Sequence, residues 1–146
     1  MARFMFRLDG VLKLREAVRD ERRALLAEAE RLVVSLAARR TEIEQERARL
    51  RHERKHPAEP ATVDIERLLR IHRYDETLQG EQHRLAAAIA TAQADADRRR
   101  QSLIEAERDM RALQRLHDNQ RRSHDDALAR REQRDLDDAA GIRSIA

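Results

Sequence analysis

The side chains able to do chemistry in this 146-residue sequence are carboxylates, histidines and arginines. His52 and His56 stand four apart, the spacing at which two imidazoles on one helical face can share a metal ion. No carboxylate or third histidine is spaced to complete that site, and Glu53 falls on another face, so the pair reads as solvated and no metal is expected. His117 and His124 are seven apart on one helical line, where protonation near neutral pH would alter a contact. Glu42 and Glu46 have the spacing of surface acids that pair with arginine, not the facing geometry of an acid/base dyad. The run Arg98-Arg99-Arg100 offers phosphate contacts, but acids are interleaved around it and no aromatic platform exists for bases to stack on, so nucleic acid is not an expected partner. There is no Gly-rich phosphate loop, nucleophile elbow or zinc-protease motif, and no cysteine. These patterns argue against an enzyme and against any cofactor. The lack of cysteine also removes disulfides and thiolate sites and fits a cytoplasmic chain.

The elements that must carry these residues are helices. Ala, Glu, Lys, Leu and Arg make up 87 of the residues, the composition of long helices and coiled coils. Val, Ile, Thr and the aromatics number 19, too few to furnish the packed faces of a sheet. Leu, Ile, Val and Phe number 31, which limits the chain to a thin core. The 31 cations and 28 anions nearly cancel, at a net +3, and are interleaved, which argues against self-repelling disorder. No apolar run approaches the roughly 20 residues that span a bilayer. The basic start Met1 to Arg7 is not followed by a signal-type stretch, so a soluble protein is expected.

Punctuation is sparse. Both prolines fall in His56-Pro57-Ala58-Glu59-Pro60-Ala61-Thr62. Pro57 disfavours helical geometry at His56 and ends a first helix near Lys55. Asp9 reads as the cap of that helix with Gly10 at its first position, Thr62 as the cap of the second with Asp64 and Glu66 in its first turn, and Gly141 as a stop. The expected organisation is one domain, 1–146, with helix one at about 9–55, a turn at 56–62, helix two at about 63–138 and a tail at 139–146.

In helix one the 3-4 spacing places Leu8, Ala29, Leu36, Ile43 and Leu50 on one heptad line and Val11, Val18, Leu25 and Leu32 on the other, with Leu12, Leu26 and Val33 beside the seam. Helix two repeats the pattern through Leu68, Ile71, Leu78, Leu85, Ile89, Ala92, Ala96, Leu103, Ala106, Met110, Leu113 and Ala127. Two such helices joined by a short turn fold back as an antiparallel coiled-coil hairpin, an all-α fold. At 1.5 Å per residue they run to roughly 70 and 115 Å, so helix two overhangs and Leu113, Leu116, Leu128 and Leu136 lie bare or meet a partner. Arg39, Glu46, Glu53, Asp75, Gln82 and Gly80 predict loose packing toward the turn, and the firmest packing where Val18–Leu36 faces Ile89–Leu103.

The opening segment through Leu8 is amphiphilic enough for weak membrane contact, or for capping the open end of the hairpin near Leu113. Phe4, Phe6 and Tyr74 are the only aromatics. Tyr74 and Leu78, four apart on one face, read as a docking patch.

The opening Arg3-Phe4-Met5-Phe6-Arg7-Leu8, followed by Val11-Leu12-Lys13-Leu14-Arg15-Glu16, resembles the start of the flagellar export protein FliJ family. The close, Ala129-Arg130-Arg131-Glu132-Gln133-Arg134-Asp135-Leu136-Asp137-Asp138-Ala139-Ala140, is similar to that family's terminal motif, and Tyr74, Leu78 and Leu85 match its middle element. The resemblance implies a component of the flagellar type III export apparatus, an antiparallel coiled coil similar to the central stalk of rotary ATPases. It also implies insertion into the export ATPase ring, promotion of ring assembly, contact with the membrane export gate and handling of export chaperones. Tyr74 and Leu78 would then meet the gate. Phe4, Phe6, Leu8, Leu12, Leu113, Leu116, Arg121, Arg122, Leu128 and Leu136 would meet the ring, with the overhanging arginines facing acidic groups. The expected location is the cytoplasmic face of the inner membrane at the flagellar base, with membrane association only through partners. The alternatives are the equivalent stalk of a virulence-type secretion system and a generic structural coiled-coil dimer.

Overall fold

The computed structural model describes residues 3–58 and 64–145. Its two helices, α1 (Asp9–Lys55) and α2 (Ile65–Ile145), pack against each other as an antiparallel hairpin, and there is no strand among the described residues.

The helix ends follow from local donors and acceptors. At the start of α1, the Leu12 N–H donates to the Leu8 carbonyl at 2.9 Å. Leu8 therefore holds the capping position, and Asp9, expected as the cap, is the first helical residue. Its carboxylate sits 3.0 Å from Lys13 Nζ, at the helix end where a negative charge is favoured. The last turn carries His52, Arg54 and Lys55, the complementary sign for a C-terminus. The cap of α2 is Asp64, whose Oδ1 accepts the Arg67 N–H at 3.2 Å while its carbonyl accepts the Leu68 N–H at 3.1 Å. Thr62 and Val63 lie outside the described residues. At the far end α2 runs on through Gly141 to Ile145, beyond the expected stop at 138 and tail at 139–146. Gly141 has no positive φ, and glycine terminates a helix only when the chain there turns into that region.

By packing, the chain divides into two units, residues 1–22 with 102–146 and residues 23–101. In the second, cross-helix pairs run in opposite senses along the two helices: Glu30 meets Arg100 at 3.1 Å, Arg39 meets Glu81 at 2.9 Å and Arg47 meets Asp75 at 2.7 Å. Its tightest cluster is Ile43, Leu78 and Leu85, with Leu36 and Leu50 against it, and Ile43 has no exposure at all. The expectation of loose packing toward the turn is thus reversed. The charged seam residues reach across the interface and hydrogen-bond, leaving the apolar side chains between them sealed. Farther along, the seam is made by Leu26, Ala29, Ile89, Ala92 and Ala96. Leu25 and Leu32, expected on the seam, are 37% and 51% exposed. Leu26 is buried and Val33 half-buried in their place, so the second seam line of α1 lies one residue later than the spacing suggested.

In the other unit Arg15 meets Asp109 at 3.4 Å and Arg22 donates to the Ser102 hydroxyl, which again sets the helices antiparallel. Phe6, Leu12 and Met110 form its core, with Phe4 and Leu113 packed on it. No helix of the described residues is long and apolar enough to cross a membrane.

Candidate functional site

Two regions gather the residues singled out above. The first is in the unit of residues 1–22 and 102–146. Residues 3–6 precede α1 without helical structure, and the Asp9 N–H donates to the Phe6 carbonyl at 3.2 Å, which folds this segment back. The Phe6 ring lies edge-on to His117 at a centroid distance of 5.0 Å and 87°. Phe4 stands 5.5 Å from His117 and 5.6 Å from His124. These are favourable aromatic separations. His117 Nδ1 is 3.1 Å from the Asp118 carboxylate, whereas the buried His124 Nδ1 has no hydrogen bond, its nearest carboxylate being Asp125 at 3.6 Å. Phe4, Phe6, Leu12 and Leu113 therefore share one cluster. Leu113, for which the sequence left open exposure, a partner or a cap from the opening segment, is covered by it.

The segment caps the helices, and both phenyl rings are turned inward, so the reading of residues 1–8 as an amphiphilic membrane element loses its apolar side chains; Met5 alone among the larger ones is strongly exposed, at 85%. Met1 and Ala2 lie outside the described residues. Leu8 is 36% exposed and is not among the side chains packed in the cluster. The remaining ring candidates do not join it. Leu116 is exposed, Leu128 half-buried and Leu136 65% exposed, while Arg121 and Arg122 are exposed with no ion pair among the described residues.

The second region surrounds Tyr74 in the unit of residues 23–101. The Tyr74 hydroxyl donates to the Glu46 carboxylate, and the ring remains 43% exposed. That carboxylate, with partial burial, raises the phenol above its ordinary value. Arg39 holds Glu81 at 2.9 Å and Glu42 at 3.2 Å, bonds that raise the guanidinium. Arg47 donates to both oxygens of Asp75, at 2.7 and 3.4 Å, and to Gln82 Oε1 at 2.7 Å, and this keeps the Asp75 carboxyl below its usual range.

Leu78, paired with Tyr74 in the sequence reading, is 3% exposed inside the Ile43–Leu85 cluster. The two residues do not form a common exposed patch: Leu78 points into the seam and Tyr74 lies at its edge. The docking candidate on this face is Tyr74 with its charged neighbours Glu46, Arg39 and Glu81. Sequence reasoning missed these partners because they sit 28 or more residues from the residues they touch.

The other candidates resolve simply. The His52 and His56 rings are 4.8 Å apart, and no group of three potential metal ligands exists among the described residues. Arg98 and Arg99 both bond Asp95, while Arg100 bonds Asp97 and Glu30, so the triple-arginine run is engaged by acids.

A family model described as the flagellar FliJ protein matches residues 4–146, almost the whole of the chain. No protein of curated function and no solved structure matches it.

Proposed function

From the premise that this chain belongs to the flagellar FliJ protein family and is therefore a flagellar export-associated protein, we propose that it is the stalk of the export apparatus. In this role α2 enters the export ATPase ring and promotes its assembly. The face around Tyr74 meets the membrane export gate, and the same helices receive export chaperones. The family is one of structural export components, so the ATP chemistry belongs to the ring, and the stalk works at the cytoplasmic face of the inner membrane. The match to a flagellar family favours this reading over the virulence-type stalk and the generic coiled-coil dimer.

One observation supports ring insertion above the others. Past His124, the last residue touched by Phe4, α2 continues for 21 helical residues on which Leu136, Ile142 and Ile145 are 65%, 71% and 88% exposed. A helix holds apolar side chains in water only at a cost that a partner's surface would remove. Nearer the cap, Leu116 is exposed and Leu128 half-buried on the same helix. Arg121 and Arg122 supply steering toward acidic groups and affect association rate more than affinity. The Phe4, Phe6, Leu12, Met110 and Leu113 cluster acts here by fixing α2 against the start of α1.

Removing residues 125–146 spares the ring contacts of Phe4 and Phe6 with His117 and His124 and their cluster with Leu12, Met110 and Leu113. The shortened chain should fold but fail to co-purify with the export ATPase or to stimulate it. Full stimulation by the shortened chain would refute insertion.

A further inference from the structure

At the hairpin end of the unit of residues 23–101, we propose a surface for anionic lipid headgroups, formed by the last two turns of α1 and the first turns of α2. The Arg47–Asp75 pair brings these segments together, since Arg47 lies eight residues before the end of α1 and Asp75 ten after the start of α2. Elsewhere in this unit arginines are mostly engaged: Arg39, Arg40, Arg47, Arg98, Arg99 and Arg100 all bond carboxylates. At the tip they are not. Arg49, Arg51, Arg54, Lys55, Arg70 and Arg73 are exposed and none has an ion pair or side-chain hydrogen bond among the described residues.

Over residues 49–58 and 64–73 these six and the half-buried Arg67 are set against Glu53, Asp64 and Glu66, with Asp64 committed to capping α2; Asp75, just beyond, is bonded to Arg47 and is reached by Arg51 only through its field. By contrast, residues 111–145 carry eight arginines against seven acids. The excess of cations is thus local to the tip, and it calls for an anionic partner.

The apolar side chains decide which anion. Ile65 is 68% exposed, Leu69 49% and Leu68 38%, and Ile65 and Leu69 are one helical turn apart on the same side. Exposed aliphatic side chains flanked by arginine and lysine stems suit a lipid surface: the aliphatic groups enter the headgroup boundary while the cations reach the phosphates. A nucleic acid would find no row of aromatic rings here to stack successive bases on, since Tyr74, half-exposed and tied to Glu46 through its hydroxyl, is the single Phe, Tyr or Trp nearby. The surface is independent of the ring-insertion reading, because the residues that form it lie within 49–58 and 64–73.

The test is co-sedimentation of the full chain with vesicles of phosphatidylcholine alone or mixed with phosphatidylglycerol. Binding is expected only to the mixed vesicles and should fall with salt. Replacing Arg51, Arg54, Lys55, Arg70 and Arg73 by Gln should weaken it by about tenfold or more. A control with Gln at Arg31, Arg40, Arg84, Arg98 and Arg108 makes the same charge change on other surfaces and should bind as the parent does. Ile65→Ser with Leu69→Ser should also weaken binding, with helicity by circular dichroism retained in every variant. Absence of binding to the mixed vesicles would overturn the proposal, as would equal loss in the control. Indifference to the Ile65 and Leu69 substitutions, together with equal binding to polyglutamate or DNA, would assign the patch to an acidic macromolecule and overturn it as well.

Discussion

The guanidinium of Arg47 on α1 reaches Asp75 on α2 through two hydrogen bonds, 2.7 Å at Nε and 3.4 Å at Nη2, across a part of the seam where polar side chains were expected to loosen the packing. Its Nη1 goes to Gln82, so one arginine ties together two polar residues that lie two turns apart on one helical line. Both charged partners are partly exposed, with 22% and 30% of their side-chain surfaces open. Solvent screening therefore keeps the pair's contribution to about 1 kcal/mol.

The Asp75 carboxyl is lowered from its ordinary value of 3.8, chiefly by the Arg47 hydrogen bond. A group more acidic in the folded state contributes stability above its unfolded value and loses it as pH falls through the folded one. Thermal unfolding followed from pH 6 down to about pH 2 should thus show a fall beginning near pH 4 that is shallower in Asp75→Asn. Parallel curves for the two proteins would contradict this assignment.

Tyr74 and Leu78 should separate in their effects. Leu78→Ala opens a cavity beside the fully buried Ile43 and should cost about 2–4 kcal/mol, as should Ile43→Ala, both read by urea denaturation. Tyr74→Ala removes a half-exposed ring and should change stability far less, so a loss of export-gate binding with helicity intact would belong to the surface. Retained gate binding in Tyr74→Ala would remove this face from the docking account.

Gly80 lies in the interior of α2, and a Cβ built there would meet only the far end of the Arg84 side chain at 3.9 Å, an ordinary contact. Its φ is not positive. Gly80→Ala should therefore stabilise the protein by about 1 kcal/mol, through lower chain entropy when unfolded and better helix propensity. A lower denaturation midpoint would mean that the helices approach more closely at this point than the backbone indicates.

How far the sequence is legible depends on how local the determining interaction is. The α2 seam, from Ile71 through Leu78, Leu85, Ile89, Ala92, Ala96, Ala106 and Met110, could be read from its 3-4 spacing because polar residues or small alanines flank each position. The α1 seam was ambiguous by one residue, since Leu25-Leu26 and Leu32-Val33 put apolar groups on both neighbouring lines, and only packing against α2 chooses between them. His117 and His124 were placed on the seam line, but their contacts with Phe4 and Phe6 needed the chain to fold back through more than 110 residues. Polar seam residues looked like defects one at a time. In pairs, as Arg47 with Asp75 or Tyr74 with Glu46, they are cross-links between the helices.

Because the chain has no cysteine, Leu136→Cys would carry a thiol-directed photocrosslinker at one defined point beyond the Phe4–Phe6 cap. Irradiation with the assembled export ATPase should yield a crosslink to a ring subunit from Leu136→Cys and none from Ser35→Cys, an exposed position on α1. No product from Leu136→Cys, or a product from Ser35→Cys alone, would contradict insertion of this helix into the ring.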